Sequence, residues 1–340
     1  MKTLITGNLG YIGTVLSQHL VERDFEVSGF DSGYYKECLL DNTHVDIPTI
    51  VRDIRSLRKS DFENFTAVVH LAALSNDPIG ELDPKLTYEI NHEAAVTAAK
   101  LAKEAGVSKF VFVSSQSIYG ISNSDFELNE TAQANPQTAY AKSKWMAEKA
   151  ILEMATPSFT TVSIRPSTVF GWSPRLRSDI VFNNLLITGY SKGRIEVHSD
   201  GSPWRPIVHV SDLSEAIRLT LLADKDVIAG EIFNIGKIGG NYTVREIAES
   251  ASVCLGGVTT RFNTENIVDP RSYRVSFDKA LGSLGFMANR ELVESGIEML
   301  EKFKGLKLEE NFLLGRMTNR LAQVGHLKEK GEIDADLRFH

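Results

Sequence analysis

The stretch Met1 to Gly13, MKTLITGNLGYIG, constrains the fold of this chain more than any other. Lys2 to Thr6 reads as a short apolar strand. Gly7, Gly10 and Gly13 follow at three-residue spacing, where Tyr11, Ile12, Val15, Leu16 and Leu20 begin a helical stripe. A strand, a tight glycine turn and a helix N-terminus let a pyrophosphate approach the backbone, where N–H groups and the positive end of the helix dipole meet it. The expected ligand is a dinucleotide.

Glu26 to Phe30 reads as a second strand, and Asp31 ends it about 20 residues past the turn, where a carboxylate takes both hydroxyls of an adenosine ribose. Neither Asn8 nor Ser32 offers a cation for a 2′-phosphate, so NAD is expected rather than NADP. With a net charge of -7 and no long Lys/Arg run, the chain is a poor binder of phosphate backbones, and no nucleic-acid partner is expected. The two cysteines, Cys38 and Cys254, are too few for a disulfide scaffold and lack metal-ligand spacing, so no metal is expected. The sequence shows no signal-peptide pattern and no apolar run of bilayer length, which predicts a cytoplasmic protein without a membrane partner.

Farther along, Ile50 to Ile54 reads as a short strand containing Asp53, and Ala67 to Ala73 as a buried parallel strand, with His70 as a packed core residue. Pro84 to Ala105 predicts one long Ala-rich helix stopped by Gly106, before another buried strand at Lys109 to Val113. This alternation implies an α/β fold, a doubly wound parallel Rossmann sheet, with ligands beyond the carboxyl ends of its strands. Ser114, Ser115 and Ser117 follow the strand at Lys109 to Val113. A later helix, Tyr140 to Met154, carries Tyr140 and Lys144 on one face.

Together these features resemble the extended short-chain dehydrogenase/reductase family of NAD-dependent nucleotide-sugar epimerases and dehydratases. The matching residues are Thr6 to Gly13, Asp31, Asp53-Ile54, Leu71-Ala72-Ala73, Asn91, Ser115, Tyr140 with Lys144, Arg165-Pro166, Gly171, and RPIVHVSD at Arg205 to Asp212. The resemblance implies that Gly7, Gly10, Tyr11, Ile12, Gly13, Asp31, Asp53, Ile54, Leu71, Ala72, Ala73, Asn91 and Pro166 bind NAD, helped by Tyr140 and Lys144. It implies Tyr140 as the acid/base on a sugar hydroxyl, with Ser115 relaying the proton. A phenol of pKa about 10 needs nearby positive charge for that work, and Lys144 and the nicotinamide ring would supply it. For a nucleotide-diphosphate sugar, Arg205, Arg271 and Arg274 would grip the diphosphate, and Ser75, Ser117 and Asn183 would complete the substrate site.

The resemblance further implies a cofactor domain of residues 1–169 plus 207–235, a smaller substrate domain of 170–206 plus 236–340, and a homodimer through the helices at 94–105 and 140–154. It gives the charged, helical tail from Leu306 no catalytic role. Dehydratases of the family carry carboxylates where this chain has Gln116 and Ser117, so epimerisation at carbon 4 is favoured. A 4-keto-sugar reductase or 4,6-dehydratase is the same-fold alternative. A non-catalytic NAD-binding scaffold is the alternative from another class, and it would need neither Ser115, Tyr140 nor Lys144.

Overall fold

The apolar strands of the N-terminal two-thirds join into one seven-stranded parallel sheet. In a computed structural model describing residues 1–75, 80–81, 83–122, 126–263 and 271–340, its members are β1 (Lys2–Thr6), β2 (Glu26–Asp31), β3 (Thr49–Val51), β4 (Ala67–His70), β5 (Lys109–Val113), β6 (Thr160–Pro166) and β10 (Ile232–Ile235). Their order is β10-β6-β5-β4-β1-β2-β3. Construction therefore moves outward from β1 in both directions, and the order reverses between β1 and β4. Such a reversal opens a crevice at the carboxyl ends of the strands. Register sets those ends side by side, with Thr6 opposite both Phe30 and His70.

Alternate strand residues face opposite layers. Ile5, Val69 and Val111 pack under α1 (Tyr11–Val21) and α6 (Val210–Leu222), while Leu4, Val68, Phe110 and Phe112 pack under α3 (Ala94–Glu104) and α4 (Ala139–Leu152). Because both faces are covered, β4 and β6 are buried at every residue; β4 is largely apolar, whereas β6 also buries Thr160, Thr161, Ser163 and Arg165. His70 is fully buried, stacked between Phe110 and Phe112 with ring centroids 5.9 and 6.0 Å away, and its Nδ1 lies 3.0 Å from Thr6 Oγ1.

Three elements depart from the sequence expectation, the first being the strand predicted over 67–73, which ends at His70. The predicted helix over 84–105 is divided into α2 (Pro84–Tyr88), a π-helical turn at Glu89–Glu93, and α3. The wider turn holds Asn91, which accepts from Leu74 N at 2.8 Å and donates to Leu74 O at 3.1 Å, a tertiary bond with no local signature. The predicted strand over 50–54 stops at Val51, because Asp53 caps the short 3-10 turn Ile54–Ser56 by accepting from Arg55 N.

The remaining chain contributes β7 (Thr168–Phe170), β9 (Trp204–His209) and β11 (Asn241–Thr243) in a three-stranded sheet, and β8 (Arg194–Val197) with β12 (Thr259–Phe262) in a parallel pair. Around them stand α5 (Val181–Lys192), α8 (Val244–Cys254), α9 (Asp278–Leu284), α10 (Leu292–Gly305) and α11 (Glu310–Leu313), while α7 (Lys225–Ile228) leads into β10. The last helix, α12 (Arg320–Glu329), and the residues after it turn back to the loop following β2. There Gln323 donates to Tyr34 O, Tyr34 to Leu337 O, and Arg55 to Asp336 O. Among the described residues no helix is long and apolar enough to cross a membrane.

Candidate active site

The glycine turn is built for close approach. Gly7 sits at φ +81°, and a Cβ there would lie 2.8 Å from Ala72 N. A Cβ on Gly13 would lie 2.2 Å from Gly7 O, so Gly13 lets α1 start tight against the turn. Helix α1 is capped by Gly10 without a side-chain hydrogen bond and has no acidic residue in its first turn. Its positive end is left for a ligand.

A cleft of about 580 Å³ opens over this turn and along the carboxyl ends of the strands. Gly7, Gly10, Tyr11 and Ile12 line it at the helix end, and Asp31, Asp53 and Ile54 beyond β2 and β3. Leu71, Ala72, Ala73, Ser75 and Pro166 line it past β4 and β6. Four predicted residues do not line it: Arg274 lies over the Trp204 ring, Gly13 packs beneath the turn, Asn91 holds Leu74, and Asn183 is fully buried, accepting from Gly171 N and donating to Arg177 O.

Asp31 is held by two backbone donors, Leu9 N at 3.0 Å and Gly33 N at 2.8 Å. Burial, the largest influence, pushes its pKa above the usual carboxylate value, while the two N–H bonds and the charges of Arg175 and Arg320 pull the other way. Asn8 and Ser32 offer no cation, as read from the sequence, but two arginines act on Asp31 from elsewhere in the chain. Neither guanidinium is local in sequence, and the fold delivers both. Asp53 is clamped two-fold by Arg55; burial opposes ionisation, yet the Arg55 bonds hold its pKa below the ordinary value.

Ser115, Ser117, Tyr140 and Lys144 all line the cleft. Thr138 caps α4 by accepting from Ala141 N, which starts the helix at Ala139, one residue before Tyr140, and turns Tyr140 and Lys144 to the same side. Lys144 is 2 % exposed, its ammonium 4.5 Å from the centroid of the Phe112 ring, and it has no hydrogen-bond partner among the described residues. Burial pulls its pKa down to about 7, against the charge of Glu148 one turn on. The hydroxyls of Ser114 and Ser117 also line the cleft, buried and without a partner among the described residues. Buried hydroxyls left without a partner are costly unless a ligand satisfies them. Gln116 instead ties β5 to β6, its amide donating to Arg165 O and accepting from Ser167 Oγ.

At the opposite end, Arg205 and Arg271 line the cleft, and Arg205 donates to Trp204 O at 2.9 Å and to Arg271 O. Arg274 lies outside it, its guanidinium 5.3 Å from the centroid of the Trp204 ring. Trp172 packs against Phe303. Sequence reasoning did not assign Tyr34, Tyr35, Asn184 or Arg320 to the site, yet all four line the cleft. The two tyrosines closely follow Asp31 and were legible as an aromatic pair beside the carboxylate expected to hold a ribose. Arg320 carried no signal.

The comparisons with known proteins agree with this geometry. The model of the NAD dependent epimerase/dehydratase family matches residues 3–236. The UDP-glucose 4-epimerase of Streptomyces lividans is 28% identical over 270 residues, covering 73% of this chain and 79% of that protein. That of Lactobacillus helveticus is 26% identical, covering 87% and 95%. Among solved structures, MoeE5 in complex with UDP-glucuronic acid and NAD superposes with a TM-score of 0.78 at 26% identity, covering 90% of this chain and 99% of that one.

Proposed function

Because the chain belongs to the NAD dependent epimerase/dehydratase family, we propose that it is an NAD-dependent nucleotide-sugar epimerase acting at carbon 4 through a transient keto-sugar. The coarser reading, an epimerase or dehydratase of nucleotide sugars, rests on relatives described as UDP-glucose 4-epimerases and on neighbours crystallised with NAD and UDP-sugars. One observation favours epimerisation. After β5 the chain offers the amide of Gln116, already bonded to backbone, and the hydroxyl of Ser117, but no carboxylate to help expel water.

The cleft fits NAD. Gly7 leaves a space that a Cβ would fill, and Ser114 and Ser117 present buried hydroxyls that a ligand would satisfy, with Lys144 lining the same cleft. Gly10, Tyr11 and Ile12 would hold the pyrophosphate, Asp31 the adenosine ribose, Asp53 and Ile54 the adenine end, and Lys144 the nicotinamide ribose. NAD, when bound, supplies a hydride acceptor that can return what it took. The protein supplies the rest. The Tyr140 phenolate takes the proton of the sugar hydroxyl and later gives it back, Ser115 shares that proton, and the Lys144 ammonium favours the charged phenolate. Arg205 and Arg271 grip the substrate diphosphate with paired, charge-assisted bonds. On this reading residues 1–169 plus 207–235 serve the cofactor, and 170–206 plus 236–340 serve the sugar nucleotide.

The test is to incubate the purified protein with UDP-, dTDP-, GDP- and CDP-sugars and follow the sugars by NMR. Interconversion of C4 epimers is expected, and Tyr140→Phe should slow it by about 10² to 10⁴ while NAD still binds. A 4-keto-6-deoxy product would make the chain a dehydratase, net oxidation of NADH a reductase, and no conversion of any sugar would sink the enzyme reading.

A further inference from the structure

Arg320 opens helix α12, beyond the residues that the family model matches, and it is 1 % exposed. Its guanidinium lies over the Tyr35 ring, 4.4 Å from the centroid, and Nη2 donates to Arg175 O at 2.7 Å. Nη1 is buried with no hydrogen-bond partner, and no carboxylate pairs with Arg320 among the described residues. Arg177 adds a like charge nearby. Asp31 and Asp179 act on the guanidinium only through space, so among the described residues it is a buried cation without a direct ionic partner. Burial lowers its pKa, but an arginine starts so high that it stays charged.

Arg320 lines the same cleft as Gly7, Gly10, Tyr11 and Ile12. The glycine turn and the first turn of α1 offer backbone donors and a dipole but no side-chain cation, so a pyrophosphate seated there would keep part of its charge unmatched. We propose that Arg320 is a cofactor-binding residue, a second anchor for the pyrophosphate of the dinucleotide, supplied by the C-terminal helix. The proposal rests on the NAD reading given above. A diphosphate also occurs in the substrate, but its expected partners are Arg205 and Arg271, whereas Arg320 is packed with Tyr35 and Arg175 close to Asp31. Arg175 cannot substitute, since it donates to Thr14 Oγ1 at 3.0 Å and to Tyr35 O.

The experiment uses the full chain freed of nucleotide and measures NAD, ADP-ribose and UDP binding by calorimetry, with thermal unfolding alongside. Arg320→Met should weaken NAD and ADP-ribose alike by about tenfold to a hundredfold, the usual effect of losing a charged hydrogen bond, and leave UDP unchanged. The ligand-free variant loses the bond to Arg175 O but no direct ion pair, so it should unfold close to wild type, yet gain less from added NAD; a purely structural arginine would lower the ligand-free transition and leave the gain from NAD unchanged. Arg320→Lys keeps the charge without the planar fork and should fall between the two, which keeps the test open if the methionine variant fails to fold. Unchanged NAD and ADP-ribose affinity overturns the proposal, and so does an equal loss for UDP. If wild type itself binds neither NAD nor ADP-ribose, the cofactor reading falls with it; wild-type binding that the variants do not disturb removes the Arg320 assignment alone.

Discussion

Lys144 shows how much one side chain owes to its surroundings. On the sequence it is a lysine one helical turn past a tyrosine. In the fold it is buried against Phe112, with the neutral imidazole of His70 and the carboxylate of Glu148 nearby, and burial lowers its pKa to about 7. An unfolded lysine holds its proton up to about pH 10.4, so between the two values the unfolded chain binds more protons and stability rises with pH. Below the folded value the full penalty of a buried charge is present. The ligand-free Lys144→Met protein should therefore be more stable than wild type at about pH 6, with the gap closing towards about pH 10. Thermal unfolding across that range checks it, and a gap that does not change with pH would contradict the burial argument.

The helix that carries Tyr140 and Lys144 must keep a fixed rotation against the sheet. A buried ion pair does this: Arg165 of β6 donates from Nε and Nη2 to Glu148 of α4, and Ser163 donates to the same carboxylate at 2.7 Å. Arg165 also donates to Tyr119 Oη at 2.9 Å, and Tyr119 to Asn234 Oδ1 at 2.8 Å, so the network spans α4, β6, the turn after β5 and β10. Glu148→Gln leaves the guanidinium buried beside a neutral amide and should cost about 3 to 5 kcal/mol in urea unfolding. Replacing both partners, Glu148→Met with Arg165→Met, should cost less than the single change, since no unpaired charge remains. A larger loss in the double variant would show that the hydrogen bonds to Ser163 and Tyr119, rather than the charge pair, hold the helix.

At the scale of the molecule, the outer faces of α3 and α4 leave Met146 exposed between Lys142 and Lys149. We propose these faces as the homodimer contact, and light scattering should give a mass twice that of one chain; a monomer mass would reject it. The parallel sheet was legible because its signals are local: apolar runs, glycine turns and helical stripes each lie within one element. The same held for Asp31, Ser115, Tyr140 and Lys144, each placed at a strand end or along one helix face by spacing alone. The π turn at Glu89–Glu93 was not legible, because it serves a bond from Asn91 to Leu74 on another element. Nor was the company Asp31 keeps. Arg175 and Arg320 reach it from distant stretches of chain, and α12, read from sequence only as a charged tail, folds back beside the loop that follows β2. By itself the sequence determined which elements form and which chemistry stands at their ends, since backbone propensity and side-chain period act over a few residues. Tertiary structure alone decided which buried charges share the cleft and which polar groups are left waiting for a ligand, because burial and pairing depend on neighbours that only the folded chain assembles.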